Sequence, residues 1–286
     1  MNKRLIVVHN GFSGSAIPSR QLRALCEDAG FSVVKVITLD DKLERKLRPY
    51  LKRNSYIAAV GGDGTISAVA QHLSGTSAVL IPIPGGTLNH FTKDLGVSQD
   101  IATALQDARQ ATPRRVDIAS VNDTKFINNS SIGLYPQSLL TRKKAESVLG
   151  KWPAAAYAVV RAFIRYRTYR VTIQDQSFDT PFIFVGNGDY QLTDFGADGR
   201  SSLEGGVLSV YIVRTSSRLA LVRLFCRALL GSLHNDQEFI YFSTTSFTIE
   251  SRRSYISSSH DGEVSQLSTP ITYQIHPKSL WITAPK

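Results

Sequence analysis

The stretch of this sequence with the clearest chemical potential is residues 61–65, Gly-Gly-Asp-Gly-Thr, which follows the apolar run 56–60 without a break. Glycines let a backbone approach an anion closely, and the start of a helix offers unpaired N–H groups and the positive end of its dipole. The apolar residues that follow have the spacing of one helix face: Ile66, Val69, Ala70 and Leu73. The pattern therefore favours a phosphate-binding turn over a tight turn that merely needs glycine.

Two more glycine-bearing polar loops also follow apolar runs. Residues 9–14 come after the run 4–8, and residues 84–89 close the run 78–83. Apolar runs alternate with helical patterns four times in the first 110 residues or so, which predicts a parallel sheet that is buried on both faces. Since ligands of such sheets bind at the carboxyl ends of the strands, we expect the three loops to share one edge.

The pattern changes after Pro113, where short apolar segments separated by turn residues replace the alternation. Such segments predict an antiparallel sandwich, interrupted by helices near 153–167 and 217–230. The predicted fold is an α/β N-terminal domain with a parallel sheet and a β-rich antiparallel sandwich C-terminal domain. We place the boundary between residues 1–120 and 121–286, and the last residues are candidates for packing back on the first domain.

Charge and cysteine content narrow the class of protein. The 286 residues include 33 Lys and Arg against 23 Asp and Glu, a net charge of +10. This favours an anionic partner, namely a nucleotide, a nucleic acid or lipid headgroups, although a generic basic surface has the same charge. The two distant cysteines, Cys26 and Cys226, favour a reduced cytosolic protein. No apolar run has the length of a signal peptide core or a membrane span.

The ordered set of loops resembles the diacylglycerol kinase catalytic domain superfamily, which includes bacterial lipid kinases and sphingosine and ceramide kinases. The matching segments, in family order, are residues 10–14, 61–65, 84–89, 126–133, 186–188 and 261–263. The segment 61–65 alone is shared with NAD kinases and 6-phosphofructokinase relatives. The order of the whole set is therefore what carries the specificity.

This resemblance implies a kinase that uses ATP and Mg²⁺ and transfers the γ-phosphoryl group to the hydroxyl of a lipid such as diacylglycerol or a sphingoid base. It gives the acid–base role to Asp261, with Asp63 as the competing candidate. Glu263 is expected to add an adenine-side, ribose-side or metal-linked contact. Asp261-Gly262 is also an ordinary turn dipeptide. The residues to which the resemblance gives ATP contacts are Asn10, Ser13, Gly14, Thr38, Gly62, Asp63, Gly64, Thr65 and Thr87.

The sequence departs from the family pattern at three positions. Ala68 stands where many members carry a glutamate, and His90 where an aspartate is frequent. Bacterial members hold a structural Mg²⁺ near an aspartate whose place Gly205 takes here. Glu204, one position earlier, is the candidate replacement, but we expect this metal site to be unfilled.

The expected partners are ATP, a lipid substrate and an anionic membrane surface. The segment 142–170 mixes basic and aromatic residues, which fits either an interfacial helix or a helix packed on the second domain. We therefore expect a cytoplasmic protein with peripheral contact to the inner membrane face.

Two other functions are alternatives to a lipid kinase, namely an NAD kinase-like enzyme and a nucleotide-binding regulator without catalysis. Nucleic-acid binding ranks last, because no binding motif supports it.

Overall fold

The computed structural model describes residues 3–11, 17–53, 55–133, 168–173, 175–193, 196–200, 202–215, 217, 219–220, 223 and 239–285. The predicted helix at 153–167, most of that at 217–230 and the site candidates Ser13 and Gly14 lie outside these ranges. The chain divides into two compact units. Unit 1 comprises Met1–Ile118, Lys125–Ile127 and His276–Lys286, and unit 2 comprises Ala119–Thr124 and Asn128–Ile275.

Unit 1 is built on a parallel sheet with the strand order β2-β1-β3-β4. Its strands are β1 (Arg4–His9), β2 (Ser32–Thr38), β3 (Tyr56–Gly61) and β4 (Val79–Pro84). Its helices are α1 (Ser19–Asp28), α2 (Leu43–Leu47) with a following 3₁₀ turn (Arg48–Tyr50), α3 (Asp63–Leu73), α4 (His90–Asp94) and α5 (Ile101–Gln110). This confirms the predicted α/β domain. Strands β3 and β4 are almost wholly buried, as their unbroken apolar sequences require.

The register of these strands aligns their carboxyl ends. His9 lies opposite Thr38 on β2 and opposite Val60 on β3. Gly61, one residue further along β3, lies opposite Pro84 on β4. The loops that follow the strands therefore leave one edge of the sheet, the edge at which open α/β folds bind ligands.

The rest of the chain is dominated by antiparallel strands. They are β5 (Arg114–Val121), β6 (Thr124–Phe126), β7 (Asn129–Gly133), β8 (Tyr169–Ile173), β9 (Gln176–Thr180), β10 (Phe182–Asn187), β11 (Tyr190–Thr193), β12 (Gly196–Arg200), β13 (Leu208–Val213), β14 (Phe239–Thr244), β15 (Ser246–Ser251), β16 (Tyr255–His260), β17 (Glu263–Ser268) and β18 (Ile271–Ile282). In unit 2, six of them form an antiparallel sheet in the order β14-β13-β10-β7-β16-β17. The start of β18 continues antiparallel through β15 and β8 to β9. The predicted β-rich antiparallel fold is confirmed.

A buried tyrosine joins the two layers of unit 2. The Tyr273 side chain on β18 stacks on Phe247 with 5.1 Å between ring centroids. Its hydroxyl lies 3.0 Å from the hydroxyl of Ser130 on β7, in the other sheet. Complete burial raises the pKa of Tyr273 to about 12, because the charged phenolate would lose its hydration. The core of this sandwich thus contains a polar pair whose atoms satisfy each other.

Strand β18 ends in unit 1. Its residues Trp281 and Ile282 pair in parallel with Val79 and Leu80 at the start of β4. The Lys278 N–H, where β18 has a positive φ, donates a 2.7 Å hydrogen bond to the buried Asp117 carboxylate on β5. The C-terminal residues therefore belong to the sheet of unit 1.

Candidate functional site

The junction of β3 and α3 places glycine where no larger residue fits. A Cβ on Gly61 would lie 2.5 Å from the Thr65 hydroxyl oxygen. The Gly62 carbonyl accepts hydrogen bonds from the N–H groups of Thr65 and Ile66, at 3.0 and 3.1 Å, which starts α3. The helix begins directly behind the strand, so its first N–H groups stand at the carboxyl edge of the sheet.

A second glycine loop touches this junction through its backbone. The Gly85 N–H donates a 2.9 Å hydrogen bond to the Gly61 carbonyl. A Cβ on Gly86 would lie 2.5 Å from the Gly62 Cα, a distance that real Cβ atoms do not adopt. The loops 61–64 and 84–89 therefore form one surface made of two backbones. We call this surface the glycine platform.

Asp63 holds the glycine platform together with its side chain. One carboxylate oxygen accepts the His90 N–H at 3.0 Å, and the other accepts the Phe91 N–H at 2.9 Å. These are the first two N–H groups of α4, which have no partner within the helix itself. Asp63 thus caps α4 and joins it to the start of α3.

Asn89 shapes the second loop, a role that the sequence did not reveal. It adopts the left-handed conformation with φ +53°, and its side chain bonds both the N–H and the carbonyl of Gly86, at 2.9 and 3.0 Å. Its amide also donates to the Gln99 side chain at 3.1 Å. The signal for Asn89 was its position between glycines and a helix, because Asn tolerates positive φ. Gln99 gave no signal, because it lies in a polar stretch without periodicity.

The other nucleotide candidates of unit 1 differ in accessibility. Thr38 and Thr87 are exposed, Gly62 and Gly64 are half-buried, and Thr65 is buried against Gly61. Asn10 follows β1, whose last residue His9 is buried with its Nε2 3.0 Å from the Ser19 hydroxyl. Burial lowers the pKa of His9. All the described candidates of unit 1 follow or end strands at the same edge.

In unit 2, Asp261 lies in the tight turn between β16 and β17. Both Asp261 and Gly262 have positive φ, +47° and +84°, which is the backbone of a two-residue hairpin. The Asp261 Oδ1 accepts the N–H groups of Asn128 and Asn129 at 2.8 and 3.2 Å, and its own N–H donates to the Asn129 carbonyl at 2.9 Å. The turn is therefore bonded to the start of β7, and the carboxylate has a fixed orientation. Glu263 is exposed beside it.

An arginine connects the Asp261 turn to a third loop. Arg200 on β12 donates to the Asn128 side-chain oxygen at 3.0 Å and to the Asn187 carbonyl at 3.1 Å. The Asn187 N–H donates to the Asn128 carbonyl at 2.9 Å. Residues 128–129, Asn187 and Asp261, which lie far apart in the sequence, thus meet in unit 2. Arg200 was missed by sequence reasoning, because nothing around it marks it as special.

Two parts of the chain match the models of known protein families. Residues 4–121 match the model of the diacylglycerol kinase catalytic domain, and residues 142–284 match that of the YegS C-terminal NAD kinase beta sandwich-like domain. The chain belongs to the diacylglycerol kinase catalytic domain superfamily. The family resemblance seen in the sequence is confirmed.

Members of this superfamily match at modest identity. A diacylglycerol kinase from Bacillus subtilis (strain 168) is 27% identical over 84% of this chain and 83% of its own length. A YegS-like lipid kinase relative from Klebsiella pneumoniae (strain 342) is 31% identical over 64% of this chain and 65% of its own. A lipid kinase relative from Staphylococcus carnosus (strain TM300) is 30% identical over 46% of this chain and 45% of its own length. The chain thus spans about half to two thirds of the last two relatives.

Solved structures support the fold of the family. A crystal structure of a diacylglycerol kinase from Bacillus anthracis str. Sterne superposes with a TM-score of 0.69 at 19% identity, covering 99% of this chain and 97% of that one. Another Bacillus anthracis str. Sterne structure gives a TM-score of 0.75 at 22% identity, with the same coverage. At these identities, the likeness establishes the architecture alone.

The structure shows the surroundings of two positions at or near which the sequence departs from the family pattern, His90 and Glu204. The contact from residue 90 to Asp63 uses the main-chain N–H, so it does not depend on the side chain of His90. Glu204 is exposed, and its N–H donates a 3.0 Å hydrogen bond to the Ser202 hydroxyl. Among the described residues, no three His, Cys, Asp or Glu side chains lie close enough together to hold a metal ion.

A membrane span is also absent from the described residues, in which no helix combines the length and apolarity that crossing a bilayer requires.

The glycine platform predicts a specific effect of adding one methyl group. Gly86→Ala would force the Gly62 backbone to move, and we expect the free energy of unfolding to fall by about 1–3 kcal/mol. Urea denaturation measures this. The control is Gly205→Ala, whose Cβ would find only Val207 Cγ2, at an ordinary 3.8 Å. Equal stability of the two variants would show that the loops do not touch as described.

The capping role of Asp63 predicts a loss of stability when one acceptor is replaced by a donor. Asp63→Asn turns an NH₂ group toward a backbone N–H of α4, and we expect a loss of about 1–2 kcal/mol together with weaker nucleotide binding. Asp28→Asn on the exposed end of α1 is the control, expected within about 0.5 kcal/mol of wild type. If Asp63→Asn melted like wild type, Asp63 would not be a structural cap.

Proposed function

We propose that this chain is a lipid kinase that transfers the γ-phosphoryl group of ATP to the hydroxyl of a lipid of the diacylglycerol or sphingoid type. The observation that carries the proposal is the glycine platform at the carboxyl edge of the parallel sheet, in a chain of the diacylglycerol kinase superfamily. Phosphoryl transfer needs little covalent chemistry from a protein, and consists mainly of positioning and charge stabilisation. A rigid surface of backbone N–H groups suits that task.

On the nucleotide side, we assign the phosphates to the glycine platform. Gly62 and Gly64 supply N–H groups at the start of α3, an eleven-residue helix whose dipole favours negative charge, and Thr65 is a proposed contact in the same turn. The proposed further contacts are Asn10, Thr38 and Thr87 at the same edge, together with Ser13 and Gly14, which lie outside the described residues. Asp63 has a positioning role in this scheme, because taking a proton would cost it a bond to α4.

On the acceptor side, we assign the general base to Asp261. Its two backbone bonds orient the carboxylate through Oδ1, and Arg200 fixes the neighbouring Asn128. Asp261 accepts the proton of the lipid hydroxyl as the hydroxyl oxygen attacks the γ-phosphorus, while the bond from this phosphorus to the β,γ-bridging oxygen breaks and ADP leaves. Mg²⁺ bound with ATP would neutralise part of the phosphate charge, and one or two carboxylates would suffice to hold it. The exposed Glu263 is the proposed protein contact for it.

The net positive charge of the chain bears on where the proposed reaction takes place. The net charge of +10 supports peripheral contact with an anionic membrane surface, where the lipid substrate resides. We therefore propose a cytoplasmic protein that acts at the inner membrane face, with ATP and lipid as its partners and no nucleic acid.

The direct test is incubation with ATP and Mg²⁺ and with vesicles that each carry diacylglycerol, a sphingoid base, ceramide or phosphatidylglycerol, beside an arm with NAD. We expect one lipid to be phosphorylated. Asp261→Asn should lower kcat by about 10²–10⁴-fold while nucleotide affinity stays within about twofold, because the base acts only in the transition state. The control is Asp175→Asn, another aspartate with positive φ in unit 2, expected to match wild type.

Each other outcome contradicts a defined part of the proposal. Phosphorylation of NAD alone would establish the NAD kinase-like alternative. Nucleotide binding without turnover in any arm would establish a regulator that has lost catalysis. Full turnover by Asp261→Asn would remove Asp261 from the mechanism and leave the lipid kinase assignment standing.

A further inference from the structure

A concave site lies beside the outermost strand of unit 1, away from the glycine platform. Strand β2 is the edge of the parallel sheet, and β1 separates it from β3. The cavity has a volume of about 390 Å³ and is bounded by β2 on one side and by α2 with its 3₁₀ turn on the other. Neither the loop 61–65 nor the loop 84–89 contributes to its lining.

Positive charge dominates this cavity. Lys35, Arg45 and Lys46 line it together with the Tyr50 side chain, and no acidic residue does. The surrounding segment 40–53 carries six basic and three acidic residues, a net charge of +3. Three cations around one concave surface repel each other, and an anion between them would remove that repulsion.

The three cations are not equivalent. Lys46 is held in place, because its ammonium group bonds the Asp40 carboxylate at 2.7 Å and the Thr38 carbonyl at 3.4 Å. The side chains of Lys35 and Arg45, both exposed, make no hydrogen bond or ion pair with any described residue. The fixed Lys46 therefore orders one wall, while Lys35 and Arg45 remain available to a ligand.

The chemistry of the wall suits a phosphate group. Arginine binds a phosphate through two parallel N–H groups, lysine adds a point charge, and a phenol hydroxyl donates a further hydrogen bond. A volume of about 390 Å³ lies within the range of small-molecule sites, so it holds a phosphate with a small organic group attached.

We propose that this cavity is a second anion site, which binds a phosphate group through Lys35, Arg45 and Tyr50. The phosphate is either a soluble phosphate ester or the headgroup of an anionic lipid. Of the residues assigned to nucleotide binding, only Thr38 also lines the cavity. Lys35, Arg45 and Tyr50 have no part in the proposed lipid kinase reaction, so we expect the cavity to bind phosphate both with and without bound nucleotide.

The test compares two variants that each remove two positive charges. Lys35→Gln/Arg45→Gln changes the cavity, and Arg4→Gln/Arg252→Gln changes exposed arginines at the start of β1 and in unit 2. Calorimetry with inorganic phosphate and glycerol 3-phosphate measures the soluble ligand. Sedimentation with vesicles of phosphatidylcholine, with and without phosphatidylglycerol, measures the lipid. Each titration is run twice, once with saturating ADP and once without ADP.

We expect the cavity variant to bind about tenfold more weakly in the soluble arm or in the phosphatidylglycerol arm, because two charge-assisted contacts are lost. The arm that responds identifies the source of the phosphate. The control variant should bind like wild type. Three results would overturn the proposal: no binding of wild type to any probe, equal weakening in both variants, or displacement of the bound phosphate by ADP.

Discussion

The backbone contact between Gly62 and Gly86 is the constraint on which the rest of unit 1 depends. It exists only because neither residue has a side chain, and it brings the loops after β3 and β4 into a single surface. Asp63 then fixes the helix that follows the second loop, by bonding the first two N–H groups of α4. The parallel register of β1 to β4 places the other described candidates of unit 1 at the same edge.

Two aspartates thus have similar settings and different proposed tasks. The two carboxylate oxygens of Asp63 accept two different backbone N–H groups of α4, so both oxygens take part in holding the loops. Asp261 receives both of its backbone donors on one oxygen, in a turn fixed to β7. Competition between them for the catalytic role, open from the sequence, is resolved in our proposal in favour of Asp261. A carboxylate that forms part of the scaffold is costly to protonate.

The sequence predicted the architecture well, because strand burial controls composition. Unbroken apolar runs such as 79–84 occur where both faces of a strand are covered, and they identified the parallel sheet. Individual contacts could not be predicted from the sequence. Asp63 bonds residues 27 and 28 positions away through their N–H groups, which carry no sequence signature. Arg200 reaches Asn128 across 72 positions. Segments 126–133, 186–188 and 261–263 were recognised only as motifs that follow the order of the family, and the contacts between them appear only in the structure.

The central claim is that the glycine platform receives the phosphates of ATP. Hydrogen exchange of backbone amides, measured with and without a non-hydrolysable ATP analogue, tests it most directly. We expect slower exchange in residues 62–64 and 87–88, because their N–H groups would become bonded to phosphate, while strand β17 stays unchanged. Slowed exchange that omits both glycine loops, in a protein that binds the analogue, would contradict it.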